Sequence, residues 1–241
     1  MLLVSAFLFM IGALVGWWIE VIFRNCIKTT RVKGVFVNPG FCTGPYLPIY
    51  GVGLAVMFII TYTTEQNIDT SVPGAKVWVF ISIALMMTVI EFVGGLFMLK
   101  VLKMRLWDYR TRWGNIMGLI CPLFSLIWAG IGAVYYFILH PLVINWLLWF
   151  TSHLGFAFFV GLFFGFFIID MCFSGYKASL VKKYGENNDV VIMYDELKRC
   201  IQEERAKAEL KLKTFNQTEA GKLTESIEKF IDKIEEDVFK K

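Results

Sequence analysis

Residues 38–51 read NPGFCTGPYLPIYG, and residues 115–130 read NIMGLICPLFSLIWAG. The first stretch packs three prolines and three glycines into fourteen residues, directly before an apolar run long enough to enter a membrane. Proline costs roughly 3 kcal/mol in a helix interior and glycine about 1 kcal/mol, so a plain spanning helix should avoid both. The second stretch repeats the pattern. Placing Asn38 over Asn115 puts Pro45 on Pro122, Gly44 on Cys121, Pro48 on Ser125 and Gly53 on Gly130. Upstream of each copy a glutamate interrupts an apolar helix, Glu20 in GWWIEVIF and Glu91 in MTVIEFVGG. The spacing from glutamate to asparagine is 18 residues in one copy and 24 in the other. The loops therefore differ while the order is kept.

Outward from this repeat, five apolar stretches reach the roughly 20 residues that a spanning helix needs. They run over about 2–23, 46–63, 77–99, 116–139 and 142–173. The first starts at residue 2 without a basic leader and exceeds a signal-peptide core, so it reads as a span. The composition agrees: 57% of residues are hydrophobic and 18% charged, against about 45–50% and 25% in soluble domains. The expected architecture is all-α. A five-helix membrane domain covers 1–173, with repeat units at about 1–63 and 76–139 and an extra helix at about 142–173. A cytoplasmic helical tail covers 174–241. Two spans per unit give both copies the same orientation, the arrangement of parallel repeats about an axis along the membrane normal.

Charge sets the expected orientation. Up to Cys172 there are ten Lys/Arg, and nine of them lie in the first and third loops: Arg24, Lys28, Arg31 and Lys33, then Lys100, Lys103, Arg105, Arg110 and Arg112. Basic loops stay in the cytoplasm, which places the N-terminus outside and the tail inside. In the tail, Tyr194, Leu197, Ile201, Ala208, Leu212 and Phe215 recur at helical spacing, as do Leu223, Ile227, Phe230, Ile234 and Val238. Two amphipathic helices follow from that spacing. They serve either as a solvated appendage or as a docking site for a soluble partner.

Proline and glycine release backbone groups that the bilayer tolerates only where protein or a water-filled cavity covers them. Pro39, Gly44, Pro45, Pro48, Gly51 and Pro122 are the candidate break points. The helix starts beyond them either favour an anion at their free amides or are ordinary proline-started helices. Glu20, Glu91, Asn38, Asn115, Asp108 and Tyr109 are the candidate substrate- or ion-binding residues. Glu91 lies nine residues before Lys100, roughly 13 Å deep at 1.5 Å per residue. A charge there needs neutralising or pairing, with Asn38, Asn115 or Tyr109 as neighbours. Glu20 is four residues before Arg24, where an ion pair on one helix face is the plain alternative. Asp170 reads as an interface residue. Trp107, Tyr109 and Trp113 read as an interfacial aromatic belt, or with Asp108 as a shaped loop. Gly12–Gly16 and Gly161–Gly165 read as close helix-packing motifs.

No P-loop, HExxH or GxSxG motif occurs. The five cysteines contain no CxxC, and no disulfide framework follows. No enzyme, cofactor or metal is expected, and basic loops beside a membrane fit lipid headgroups rather than nucleic acid.

GWWIE at 16–20, NPGFCTGPYLPIYGVG at 38–53, IEFVGG at 90–95 and WDYRTRWGNIMG at 107–118 resemble the ABC-transporter type IV, permease-like family of bacterial integral membrane proteins. The resemblance covers about 5–140. The pattern differs at Pro39, at Arg110 and at Trp128–Ala129. The resemblance implies a membrane-spanning subunit partnered with a separate ATPase, and it supplies no catalytic residues. Too small alone for a complete pathway, the chain is expected to form a homo-oligomer or larger complex. A non-transporting scaffold acting through the tail is the principal alternative. An intramembrane enzyme with Glu20 and Glu91 as acid and base is a third.

Overall fold

A computed structural model describes residues 1–26, 38–69, 73–188 and 191–202, with single positions at 207, 209 and 222. The chain divides into two compact units, one of Met1–Arg31 with Phe36–Asp195 and one of Val32–Val35 with Glu196–Lys241. In the second unit, residues 196–202 are helical. Lys28, Arg31 and Lys33 of the first basic loop lie outside the described residues. So do tail positions Ala208, Leu212, Phe215, Leu223, Ile227, Phe230, Ile234 and Val238.

The larger unit is built from α1 (Leu2–Cys26), α2 (Pro48–Asn67), α3 (Pro73–Val101), α4 (Pro122–Val134), α5 (His140–Ser152) and α6 (Ala157–Asn188). Among the described residues, five segments are long and apolar enough to cross a membrane: Leu2–Asn25, Pro48–Asn67, Gly74–Val101, Pro122–Ser152 and Leu154–Lys183. A π turn at Tyr135–Leu139 joins α4 to α5. The fourth span therefore continues through His140 to Ser152 instead of ending near 139, and the turn into the fifth falls at 153–156. Pro141 follows that π turn, in the first turn of α5. The side chain of His140 is buried and held by Tyr135 Oη at 3.0 Å and Glu65 Oε2 at 3.2 Å.

Helices α1 and α2 pack closely through the Gly12–Gly16 motif. A Cβ at Gly12 would come 2.8 Å from Leu54 Cβ and 2.9 Å from Tyr50 O, and one at Gly16 would overlap the Tyr50 side chain. Gly51 presents the reciprocal surface, since a Cβ there would lie 2.7 Å from Phe9 O. Glycine lets two backbones approach where larger residues hold them apart. Gly161 and Gly165 differ: no described atom lies within 4 Å of a Cβ built at either. One apolar cluster, including Leu8, Phe58, Ile83, Met87, Tyr135 and Leu147, ties α1 to α5 together. A second, of Met98, Met104, Ala178 and Tyr194, lies beside a short parallel pair, Met104–Arg105 (β1) with Ile192–Met193 (β2).

Candidate functional site

Both stretches lead into helices that start cleanly. Pro48 and Pro122 occupy the first turns of α2 and α4, where no intrahelical amide is needed. The irregular backbone lies just before them. In the first copy, Pro39, Cys42, Tyr46 and Leu47 are buried, so the polar groups of the loop need partners inside the protein. Asn38 supplies several. Its Nδ2 donates to the carbonyls of Cys42 (3.1 Å), Thr43 (2.7 Å) and Gly44 (3.3 Å), while its Oδ1 accepts from Trp17 Nε1 at 2.6 Å.

Asp170 supplies the rest. Its carboxylate accepts from the amides of Thr43 (3.0 Å) and Gly44 (2.8 Å), from Tyr46 Oη (2.5 Å) and from Ser174 Oγ (3.3 Å). The carboxylate that satisfies these loop amides is the chain's own, delivered by α6. Burial, reinforced by the charge of Asp170, pushes the Cys42 thiol in this loop up to about 12. Tyr46 is likewise raised, first by burial and then by its hydrogen bond to Asp170.

The second copy, 102–121, is closed by its own residues. Asn115 Nδ2 donates to the carbonyls of Arg112 (2.8 Å) and Arg110 (3.3 Å), and its Oδ1 accepts from the Gly118 amide at 3.0 Å. Asp108 pairs with Arg110 at 2.6 Å, and that hydrogen bond holds its carboxyl below the usual range. Gly118 has φ +69°, and a Cβ there would lie 2.6 Å from Arg110 Cγ, so glycine is required on both counts. Asn38, Asn115 and Asp108 therefore shape loops. Trp113 is exposed, whereas Trp107 and Tyr109 turn inward. Tyr109 stacks on Phe124 with centroids 4.3 Å apart, and Trp107 donates to Leu119 O at 2.8 Å.

The inward residues meet at a cavity of about 640 Å³ whose lining includes Glu20, Glu91, Tyr109, Trp107, Tyr50 and Trp128. Glu91 is 3% exposed. Its Oε1 accepts from Tyr109 Oη at 2.9 Å and its Oε2 from Trp128 Nε1 at 3.1 Å. Among the described residues it makes no ion pair. Burial and the neighbouring Glu91 charge raise Tyr109, in that order of weight. Glu20 is treated differently. It pairs with Arg24 at 2.9 Å and accepts from Tyr50 Oη at 3.3 Å, while Arg24 also pairs with Asp195 at 2.8 Å. Tyr50 and Trp128, the donors to the two glutamates, meet with ring centroids 5.7 Å apart. The sequence did not single out either of them, nor Trp17, Tyr46 or Asp195. An aromatic in an apolar span looks the same whether it faces lipid or a carboxylate. A weak signal was present, since Tyr50 and Trp128 follow the helix-starting Pro48 and Pro122 by two and six residues, each within two turns.

Residues 7–175 match the family described as "Putative ABC-transporter type IV", and the chain belongs to that family. No curated protein matches the chain and no solved structure does. Family and helices together define a multi-pass membrane protein related to ABC transporters.

Proposed function

We propose that the chain is a permease-like subunit of a transport system in a bacterial cell membrane, working with a separate ATPase and assembling as a homo-oligomer or larger complex. The observation that carries this reading is the cavity with Glu91 on its wall, a buried carboxylate served only by two neutral donors. Ionisable groups at such depth face substrate or ion pathways rather than lipid. With the basic loops in the cytoplasm, the N-terminus lies outside, the tail inside, and the cavity toward the cytoplasm. Met87 is one helical turn beyond Glu91, and Phe58 and Tyr135 lie two turns beyond Tyr50 and Trp128. That cluster would then be the outer seal. The two helix pairs, each with a glutamate, an asparagine loop and a proline start, would move as the repeat units.

Mild-detergent purification with mass spectrometry tests the reading. A stoichiometric cytoplasmic ATPase is expected, with ATP-driven flux as the next assay. Recovery of a homo-oligomer alone would remove the ATPase from the proposal. A second reading, a scaffold or regulator acting through the tail, is favoured by one observation. Arg24–Asp195 and the β1–β2 pair fasten the chain just before the second unit onto the ends of α1 and α3. Removing residues 196–241 separates the two, because a transporter keeps partial flux and a scaffold loses its function.

A further inference from the structure

We propose that the cavity takes an organic cation, a single positive head on an apolar body; this rests on reading the cavity as the transport site. The charges of the lining decide the sign. Among the described residues, the lining holds three carboxyls, Glu20, Glu91 and Asp195, and one guanidinium, Arg24, which Glu20 and Asp195 already engage. A bound anion would therefore displace existing partners, whereas a cation finds Glu91 without a countercharge among the described residues.

The walls decide between organic and inorganic. Hard metal cations need six or more oxygens to replace their water. Among the described residues no group of three or more His, Cys, Asp or Glu is placed to hold a metal. The lining around Glu91 is instead aromatic, with Tyr50, Tyr109, Trp107 and Trp128. Ring faces attract a desolvated organic cation within about 6 Å. The rim carries Val52, Val89, Val93 and Phe97, which are apolar and exposed. An apolar body would rest on them with its head directed to Glu91. The volume, about 640 Å³, falls in the range of small-molecule sites.

The test is equilibrium binding to the purified full chain in nanodiscs, using radiolabelled tetraphenylphosphonium and the near-isosteric anion tetraphenylborate. Saturable binding of the cation, with tetraphenylborate at least about tenfold weaker, is expected. Glu91→Gln should weaken the cation by at least about tenfold, the worth of one charge-assisted contact, and Asp69→Asn should not. Equal binding of the two ions, or a Glu91→Gln chain that binds as wild type, would overturn the proposal. If Glu91→Gln does not fold, the two-ion comparison on the wild-type chain still decides. Charge-selective, Glu91-dependent binding in a chain that drives no flux would sustain this site while removing the transporter reading. A co-purifying ATPase with no cation selectivity would do the reverse.

Discussion

The two halves of the helix bundle carry the same pattern and resolve it differently. In the first, Glu20 is partly exposed, its side chain at 22%, and shares Arg24 with Asp195. Its loop is held from outside by Asp170 of α6. In the second, Glu91 is buried with only a phenol and an indole for company. Its loop is closed internally by Asn115, Asp108 and Gly118. The first half is thus tied by charge to the rest of the protein. The second presents a buried carboxyl that, among the described residues, pairs with no cation. Glu20 shares a partly exposed pair worth at most about 1 kcal/mol, whereas Glu91 stands on the cavity wall, so substitution should separate the two glutamates in flux rather than in stability.

The largest difference should appear in Glu91→Gln against Glu20→Gln. Glu91→Gln keeps an acceptor for one of its two donors and removes a desolvated charge without breaking any ion pair. Flux should fall by about tenfold or more while the apparent Tm in detergent does not fall. A Glu91→Gln chain with normal flux would mean the two glutamates have equivalent roles, and the contrast fails. Next in size is Asp170→Ala, which strips acceptors from two amides and two hydroxyls. If that eases local opening of the loop by about 2 kcal/mol, maleimide labelling of Cys42 should accelerate roughly 30-fold. The assay needs a chain with the other four cysteines replaced by alanine. Because the Cys42 thiol is raised to about 12, thiolate is scarce at pH 8, and wild-type labelling should climb with pH up to that value. Removing Asp170 also lowers the thiol, so both effects act in one direction. Unchanged labelling would show that α6 does not hold this loop.

Glu20→Gln should matter least among the carboxylates of the spans. Arg24 retains Asp195, and a partly exposed pair is worth at most about 1 kcal/mol. A double-mutant cycle with Arg24→Gln in thermal unfolding measures it. A coupling well above that figure would place Glu20 among the buried, costly pairs and erase its difference from Glu91.

Much of this contrast was readable before any geometry. Apolar length gave five spans, because a bilayer leaves the backbone few alternatives to helix. Glu91 stood out because ionisable groups are rare at its depth. Tyr109 was one of three neighbours the sequence offered it, and the structure brings that one to its carboxyl. The partners of Asp170 could not be read, since the amides of Thr43 and Gly44 carry no sequence signature. The end of the fourth span near 139 was not legible, because a π turn at Tyr135–Leu139 carries the helix on into α5 and apolar composition does not mark such a turn. Asn38 and Asn115 looked like ligands for a buried acid. Their amides are instead consumed by carbonyls within their own loops, the common use of asparagine at turns.

The smallest expected effect concerns the self-contained loop of the second half. Asp108 is held below the ordinary carboxylate range by its hydrogen bond from the Arg110 side chain, with a further one from the Arg110 amide and burial opposing. A carboxyl depressed in the folded state lends stability that is present above its unfolded value, about 3.9, and is lost as pH falls through the folded value. The loop should therefore loosen only below about pH 4. Because Tyr109 follows Asp108 directly and reaches Glu91, loosening should also detach the phenol from the cavity wall. Hydrogen exchange of the 106–121 amides, compared between wild type and Asp108→Asn, isolates the effect. Wild-type protection should fall in that acid window and the variant's should stay flat. Parallel profiles would show that the Asp108–Arg110 pair, two-thirds of whose guanidinium side is open to solvent at 65% exposure, leaves Asn115 and Gly118 to hold Tyr109 on their own.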